Sequence, residues 1–270
     1  MSQQTEKKDK WHWLPQEIKE KVKRQVIEKI DKLTALKANV VTKDKQLEFV
    51  LGVSGGIDSA VCFALAAKAD IPVKGYFLDI YNQEEDYTDA VNTALSLDKR
   101  VEKIVLNGQF NAWVDQFHPD DLLAKANLKA RLRMVYQYMI ANLAPDKVLR
   151  MVVGTENLSE HKTGYFTKFG DAACDISLID DWTKTEVFYA AHLLDIPEAI
   201  IDKHPSAGLY YGQYDEAEMG VTYEHLDKNI LGITAAVTEH VTDRILELFA
   251  QSEHKRCDTN LDTILNLAGA

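Results

Sequence analysis

The chain has 270 residues, 46% of them hydrophobic and 27% charged, an ordinary balance for a globular protein with one large α/β domain or two small ones. Its formal net charge of −11 argues against a nucleic-acid substrate, which needs a basic footprint, though a local basic patch remains compatible. No apolar run reaches membrane-spanning length, the polar start MSQQTEKKDK has no signal-peptide core, and Cys62, Cys174 and Cys257 are widely spaced without a C-x-x-C, so the expectation is a cytoplasmic protein with no membrane partner, disulfide framework or zinc site.

Residues 1–10 read as a frayed, charged start. Trp11, His12, Trp13 and Leu14 precede Pro15, which suits a first helical turn. Ile18, Val22, Val26, Ile30 and Leu33 then recur at helical spacing to about Leu36. That amphipathic helix is expected to cover a sheet or to lie at a subunit contact, with His12 a surface or packing residue. Residues 47–53, LEFVLGV, read as a buried strand, and residues 57–69 as a helix with Ile57, Val61, Ala64 and Leu65 on one side. Further strands are expected at 73–80 and 101–107, with a helix from about 84 to 99 between them. Helical segments run from about 109 to 142, interrupted at His118-Pro119. In the second segment Leu128, Leu132, Val135 and Met139 form the expected buried stripe, with Asn127, Arg131 and Tyr138 on an adjoining face. Residues 147–155 read as a fourth strand and 175–179 as a weaker fifth. From Thr183 the pattern is helical, with breaks at Pro197, at 205–208 and at Gly232. The last long helix is expected from about 234 to 250, with Val237, Val241, Ile245 and Leu248 on its apolar face. The alternation predicts an α/β fold, a doubly wound parallel sheet of about five strands with flanking helices. No internal repeat or low-complexity linker divides it, so one domain is expected over residues 1–270. Ligands should collect beyond the carboxyl ends of the strands. Asp79, at one such end, suits either a ribose contact or the capping of the next turn.

The chemistry begins at LGVSGGIDSA, residues 51–60. Strand, glycine turn and helix start together present free backbone N–H groups to an anion. Gly55 and Gly56 permit close approach and positive φ, and Ser54 and Ser59 add hydroxyl donors. There is no G-x-x-x-x-G-K-[ST] and no G-x-G-x-x-G, so neither the Walker A loop nor the dinucleotide fingerprint is present. Asp58 places a carboxylate inside this anion cradle, which repels phosphate unless a cation lies between them. Mg²⁺ takes one or two protein carboxylates and completes its shell with phosphate oxygens and water, so Asp58 implies a metal-bound polyphosphate. Glu160, in a polar segment after a strand end, is placed to be a second carboxylate on that metal, and Thr155 to donate to a nucleotide. Thr183-x-x-Glu186 is a capping box that sets Lys184 at the first helical position, where a cation opposes the macrodipole. A phosphate would offset that cost; a solvated side chain is the alternative. The Lys184 side chain takes no part in the capping box, so its replacement should leave the fold intact.

SGG-x-DS resembles the pyrophosphate-binding loop of the ATP pyrophosphatase superfamily, whose members cleave ATP between the α and β phosphates. Four further segments resemble the NAD synthetase family within it: ANLKARLRMVYQY (126–138), GTENLSEHKTGYFTKFGD (154–171), PSAGLYYGQYDEAEMGVTYEHLD (205–227) and HKR (254–256). The resemblance implies a Rossmann-like fold of the adenine nucleotide α-hydrolase type. It also implies an ammonia-dependent enzyme that amidates deamido-NAD with ATP and Mg²⁺, acting as a homodimer with substrate at the interface. By that resemblance Gly52, Val53, Ser54, Gly55, Gly56, Ile57, Asp58, Ser59, Thr155, Lys184 and Ser206 bind ATP. Asp58 and Glu160 hold Mg²⁺, and Arg131, Lys168, Asp175, His254 and Lys255 bind deamido-NAD. Asp171 is the residue expected to handle ammonia and its protons, with Lys184 and Asp58 supporting the chemistry. Two departures stand out. Ala172 and Ala173 replace the usual glycine pair, and CDTN follows HKR where a proline is usual. Glutamine-using relatives carry an amidase domain with its own nucleophilic cysteine; none of the three cysteines has such a setting, so free ammonia is the expected nitrogen source.

Overall fold

The computed structural model describes residues 9–206, 208–210, 212–233 and 237–257. The apolar run before the glycine turn forms β1 (Gln46–Gly52), the middle strand of a five-stranded, wholly parallel sheet. Helix α1 (Gln16–Val41) precedes it and α2 (Ile57–Lys68) follows. The chain continues through β2 (Val73–Asp79), α3 (Glu84–Ser96), β3 (Val101–Val105), α4 (Asn107–Phe117), α5 (Leu122–Asn142), β4 (Val148–Gly154), α6 (Leu158–Thr163) and β5 (Ile176–Ser177). Helices α7 (Lys184–Leu193), α8 (Glu198–Asp202), α9 (Asp215–Met219), α10 (Tyr223–Ile230), α11 (Glu239–Gln251) and α12 (Glu253–Arg256) complete it. The strand order β3-β2-β1-β4-β5 makes the fold doubly wound. The chain leaves β1 towards one edge and returns to its other side at β4, and that reversal opens a crevice beyond the carboxyl ends of β1 and β4.

Alternation along the strands builds two cores. Phe49 and Leu51 of β1 and Phe77 of β2 join a large cluster under α1, α2, α3 and α7, while Val50, Tyr76 and Leu78 point to the other face, under α4 and α5. Helix α2 is buried on every side from Ile57 to Ala66 except at Asp58, not on the one side expected, because α1, α7 and the sheet enclose it. Helix α1 covers this layer as expected, packed on α7, α2 and β1, and it extends to Val41 with Pro15 as its flanking residue. His12 is exposed, its Nδ1 paired with the Asp9 carbonyl.

The expected stripe of α5 is the main correction. Its buried residues are Ala126, Lys129 and Ala130; Leu128 and Leu132 are partly buried, and Val135 and Met139 are 58% and 57% exposed. The helix lies over β1 and β4 and against α4, so its small residues meet the protein and its outer apolar side chains find no cover among the described residues. At the C-terminal side, α10 and α11 form a third cluster around Leu226 and Ile245. The last long helix begins at Glu239, later than expected, and residues 234–236 lie outside those described. Among the described residues no helix is long and apolar enough to cross a membrane, and the three cysteines are free.

Candidate active site

The glycine turn opens at the carboxyl end of β1. Gly55 sits at φ +82, and a Cβ there would lie 2.3 Å from the Asp86 carbonyl oxygen at the start of α3, so only glycine fits. Ser59 staples the turn: its hydroxyl donates to the Gly56 carbonyl (3.0 Å) and accepts from the Ser54 N–H (3.2 Å). Gly56 flanks α2 without any side-chain cap, which leaves the first-turn N–H groups of that helix directed at the crevice.

Asp58, in the first turn of α2, accepts at Oδ1 from Asn157 Nδ2 (3.0 Å) and at Oδ2 from Lys184 Nζ (2.6 Å). Asn157 caps α6 in a capping box with Glu160, whose Oε2 accepts from the Asn157 N–H at 3.2 Å. That leaves Glu160 Oε1 to meet Lys184 Nζ at 3.2 Å. The Thr183–Glu186 capping box sets Lys184 at the head of α7, as expected, but its ammonium is 3% exposed rather than solvated. Burial disfavours the Lys184 charge, yet Asp58, Glu160 and Asp215 outweigh it and the net shift is upward, so the ammonium stays protonated. Burial pushes Glu160 up, with Lys184 opposing and Asp58 adding to the rise. The Tyr223 ring lies 5.2 Å from the ammonium, and its hydroxyl donates to Asp215 (3.1 Å). Two carboxylates thus converge on one cation beside an uncapped helix start. Among the described residues no group of three or more His, Cys, Asp or Glu is arranged around a metal. Two carboxylates, with phosphate oxygens and water completing the shell, are an all-oxygen donor set that suits a hard divalent cation such as Mg²⁺.

Around this centre opens a cleft of ≈ 1520 Å³ that reaches from the glycine turn to α5, the 164–171 segment, residues 203–206, 208–210 and 212–215, and α12. Gly52, Val53, Ser54, Gly56, Ile57, Thr155 and Ser206 line it with Asp58, Ser59, Glu160 and Lys184. Arg131, Lys168, Asp171, His254 and Lys255 line its far side. There the cations hold main chain: Arg131 donates to the Lys168 carbonyl (3.3 Å), Lys168 to the His254 carbonyl (2.7 Å), and Lys255 to the carbonyls of Gly164 (2.6 Å) and Phe166 (2.7 Å). Asp171 accepts from the Thr167 N–H (2.9 Å), and the protein packed around its carboxyl shifts it upward. Asp175 is not among the residues that line the cleft; it is exposed and accepts from the Val152 N–H (2.8 Å) and the Tyr138 hydroxyl (3.3 Å). Ala172 and Ala173 both avoid the left-handed region, so the missing glycine pair is accommodated without strain. Asp79 caps the next turn through the Asn82 N–H (3.0 Å) and pairs with Lys103 (3.5 Å).

Several residues of the site were not singled out from the sequence. Asn157 was legible in principle, since N-x-x-E is a capping signature. Arg133, which donates to the Leu78 carbonyl (3.0 Å) and Asn82 (2.8 Å), and Gln137, which accepts from the Gly52 N–H (3.0 Å), line the cleft through long-range contacts with no local signal. Glu156 is a further buried group. Burial raises its carboxyl to about 8 and lowers His161, whose Nδ1 lies 2.9 Å from the Glu156 Oε1.

The chain matches the NAD synthase family over residues 26–259. It is 40% identical over 245 residues to an NH3-dependent NAD(+) synthetase of Malacoplasma penetrans, covering 87% of this chain and 94% of that one. It is 38% identical to an NH3-dependent NAD(+) synthetase of Archaeoglobus fulgidus, covering 80% and 89%. Among solved structures it superposes on an NMN synthetase from Francisella tularensis with a TM-score of 0.78 at 37% identity, covering 87% of this chain and 97% of that one.

Proposed function

The chain belongs to the NAD synthase family, and on that premise we propose that it amidates deamido-NAD with ammonia and ATP to give NAD, AMP and pyrophosphate, the final step of NAD biosynthesis. The nicotinate carboxylate is a poor electrophile. One of its oxygens attacks the α-phosphorus of ATP, pyrophosphate leaves, and the resulting acyl adenylate is attacked by ammonia. AMP then departs and one proton is lost. The protein's contribution is positioning and charge neutralisation. The open N–H groups of α2 with Ser54 and Ser59 hold the pyrophosphate, and the Lys184 ammonium neutralises phosphate charge. Thr155 and Ser206 contact the nucleotide. Asp58 and Glu160 would hold Mg²⁺, which when bound supplies neutralisation of the polyphosphate. Arg131, Lys168, His254 and Lys255 bind the dinucleotide, exchanging carbonyl partners for substrate. Asp175 is assigned with them on its motif. Asp171, whose upward shift makes its carboxylate the stronger base, accepts the proton that ammonia releases.

The observation that carries this reading is the convergence of Asp58 and Glu160 on Lys184 beside the uncapped start of α2. A second reading rests on the likeness to an NMN synthetase, since amidation of nicotinate mononucleotide is the same chemistry on a smaller substrate. The test is to supply the purified chain with ATP, Mg²⁺ and ammonium chloride, together with either deamido-NAD or nicotinate mononucleotide, and to measure AMP and amide product. AMP release dependent on deamido-NAD is expected. Turnover of the mononucleotide alone would move the assignment to the second reading, and release of ADP would overturn cleavage between the α and β phosphates.

The active form is a homodimer by our reading. Trp113, Phe117, Leu122, Leu123, Met139 and Leu143 on and beside α4 and α5 are each 50% exposed or more, an apolar face that a second copy would cover. The free thiols accord with a cytoplasmic location.

A further inference from the structure

Helix α10 takes no part in the chemistry above, yet it places two residues, one turn apart, against the centre. Tyr223 faces the Lys184 ammonium, and Asp227, four residues on, is fully buried behind it. The Asp227 carboxylate has no cation within ion-pair distance among the described residues. Its partners are neutral donors: the Ser159 hydroxyl to Oδ1 (2.5 Å), and the Thr185 N–H (2.7 Å) and hydroxyl (2.6 Å) to Oδ2. Ser159 in turn accepts from the Lys184 N–H at 2.9 Å. Ser159 immediately precedes Glu160 on α6, and Thr185 immediately follows Lys184 on α7. The residues whose side chains meet in the cleft therefore have their chain neighbours tied, on the opposite side, to a single carboxylate.

Resting on the reading of this centre as the metal and phosphate site, we propose that Asp227 is a positioning residue that sets the separation of Glu160 and Lys184 by clamping the starts of α6 and α7. Three donors converge on a rigid acceptor inside a buried space, where charge-assisted bonds are short and strongly directional. An acidic group at the start of α7 is also favoured by the helix dipole, which offsets part of the cost of burying its charge. Without the clamp the starts of α6 and α7 keep the Lys184 N–H bond to Ser159 and the Leu158 N–H bond to the Trp182 carbonyl (2.8 Å), but Ser159 and Thr185 lose their common anchor behind the 3.2 Å contact of Glu160 with Lys184.

The variant Asp227→Asn keeps the volume but turns one acceptor into a donor. The Asn amide then faces either the Ser159 hydroxyl, already an acceptor, or the two Thr185 donors. Binding of Mg²⁺ with a non-cleavable α,β-methylene ATP is measured by calorimetry, and kcat by AMP release, both well below the unfolding midpoint. Binding weaker by about 10-fold and kcat lower by at least 10-fold are expected. The control is Leu47→Ala, at the amino end of β1 and so opposite the cleft, which opens a cavity in the largest core and lowers thermal stability without changing either quantity. Thr185→Val, which deletes one donor and leaves the N–H bond, should shift both in the same direction by about 3-fold, and it decides the matter if Asp227→Asn does not fold. Folded variants that bind and turn over within 2-fold of the parent would overturn the proposal, whatever their thermal stability. If the parent chain binds the analogue but forms no AMP, the functional reading fails while the binding difference still tests the clamp.

Discussion

Lys184 is the residue on which capping chemistry and buried electrostatics disagree. The capping box leaves its side chain free, and from that alone Lys184→Met should spare the fold. The ammonium instead lies 2.6 Å and 3.2 Å from two carboxylates that are themselves only 17% and 16% exposed. Removing one partner of a buried ionic group leaves uncompensated charge and costs about 3 kcal/mol or more. Lys184→Met should therefore lose both turnover and stability in urea denaturation, and millimolar Mg²⁺ should restore part of the stability by supplying a cation to Asp58 and Glu160. Unchanged stability without metal would show that the ionic contacts are not made in solution. Glu156 offers a test of a different kind. Burial raises its carboxyl from 4.5 to about 8, so between those pH values the folded chain binds a proton that the unfolded chain does not. The associated stability is complete below about pH 4.5 and is lost as pH rises through 8. Glu156→Gln, able to keep a donor to His161, should flatten the stability profile over this window and exceed the parent at pH 9. A variant profile parallel to the parent's would place the ionised form in the folded state.

At the scale of elements, the site is a meeting of helix starts. The first turn of α2 brings Asp58, that of α6 brings Asn157 and Glu160, and that of α7 brings Lys184. Of the three, only the start of α2 keeps its N–H groups free for an anion, while those of α6 and α7 are taken by their caps, by Ser159 and by Asp227 and add only their dipoles. The carboxylates set into that environment are what adapts it to a cation-bound anion. Because Asp58 and Glu160 bond the same ammonium, they should act as a unit. Asp58→Asn and Glu160→Gln are each expected to lower kcat on the order of 10²-fold, the scale of losing a key electrostatic group, and the double variant should be little worse than the worse single one. A double-mutant cycle at saturating Mg²⁺ measures this. Strictly additive losses would separate Glu160 from the metal site.

At the scale of the whole molecule, the sheet has its two faces covered unequally. One face is sealed by α1, α2, α3 and α7 into the largest core, while the helices of the other face leave Phe117 64%, Leu123 65% and Met139 57% exposed. The same helix α5 carries Arg131 to the cleft, so a second copy docked on this face would lie next to the substrate end of the site. Charging that face is the test. Leu123→Glu with Met139→Glu should shift sedimentation from dimer to monomer at micromolar concentration and lower turnover with it, because the cleft loses its adjoining wall. A parent chain that sediments as a monomer would remove the dimer from this account.

The sequence by itself determined the strand–glycine–helix unit, the parallel alternation, the Thr183–Glu186 capping box and the identity of Asp58, Glu160 and Lys184 as groups of interest. These are local matters: hydrophobic period, turn stereochemistry and the three-residue spacing of a cap are all written within a few consecutive residues. Only the tertiary structure decided that Lys184 and Asp58, 126 residues apart, share an ion pair, that Asp227 holds the backs of α6 and α7, and that Lys168 and Lys255 hold loop carbonyls. It also decided that Val135 and Met139 face outward, although their spacing marks an apolar stripe. Spacing fixes which side chains share a helix face, whereas burial depends on what the rest of the chain brings against that face. A long-range polar contact likewise depends on which distant donor is carried within 3 Å, and no local pattern encodes that.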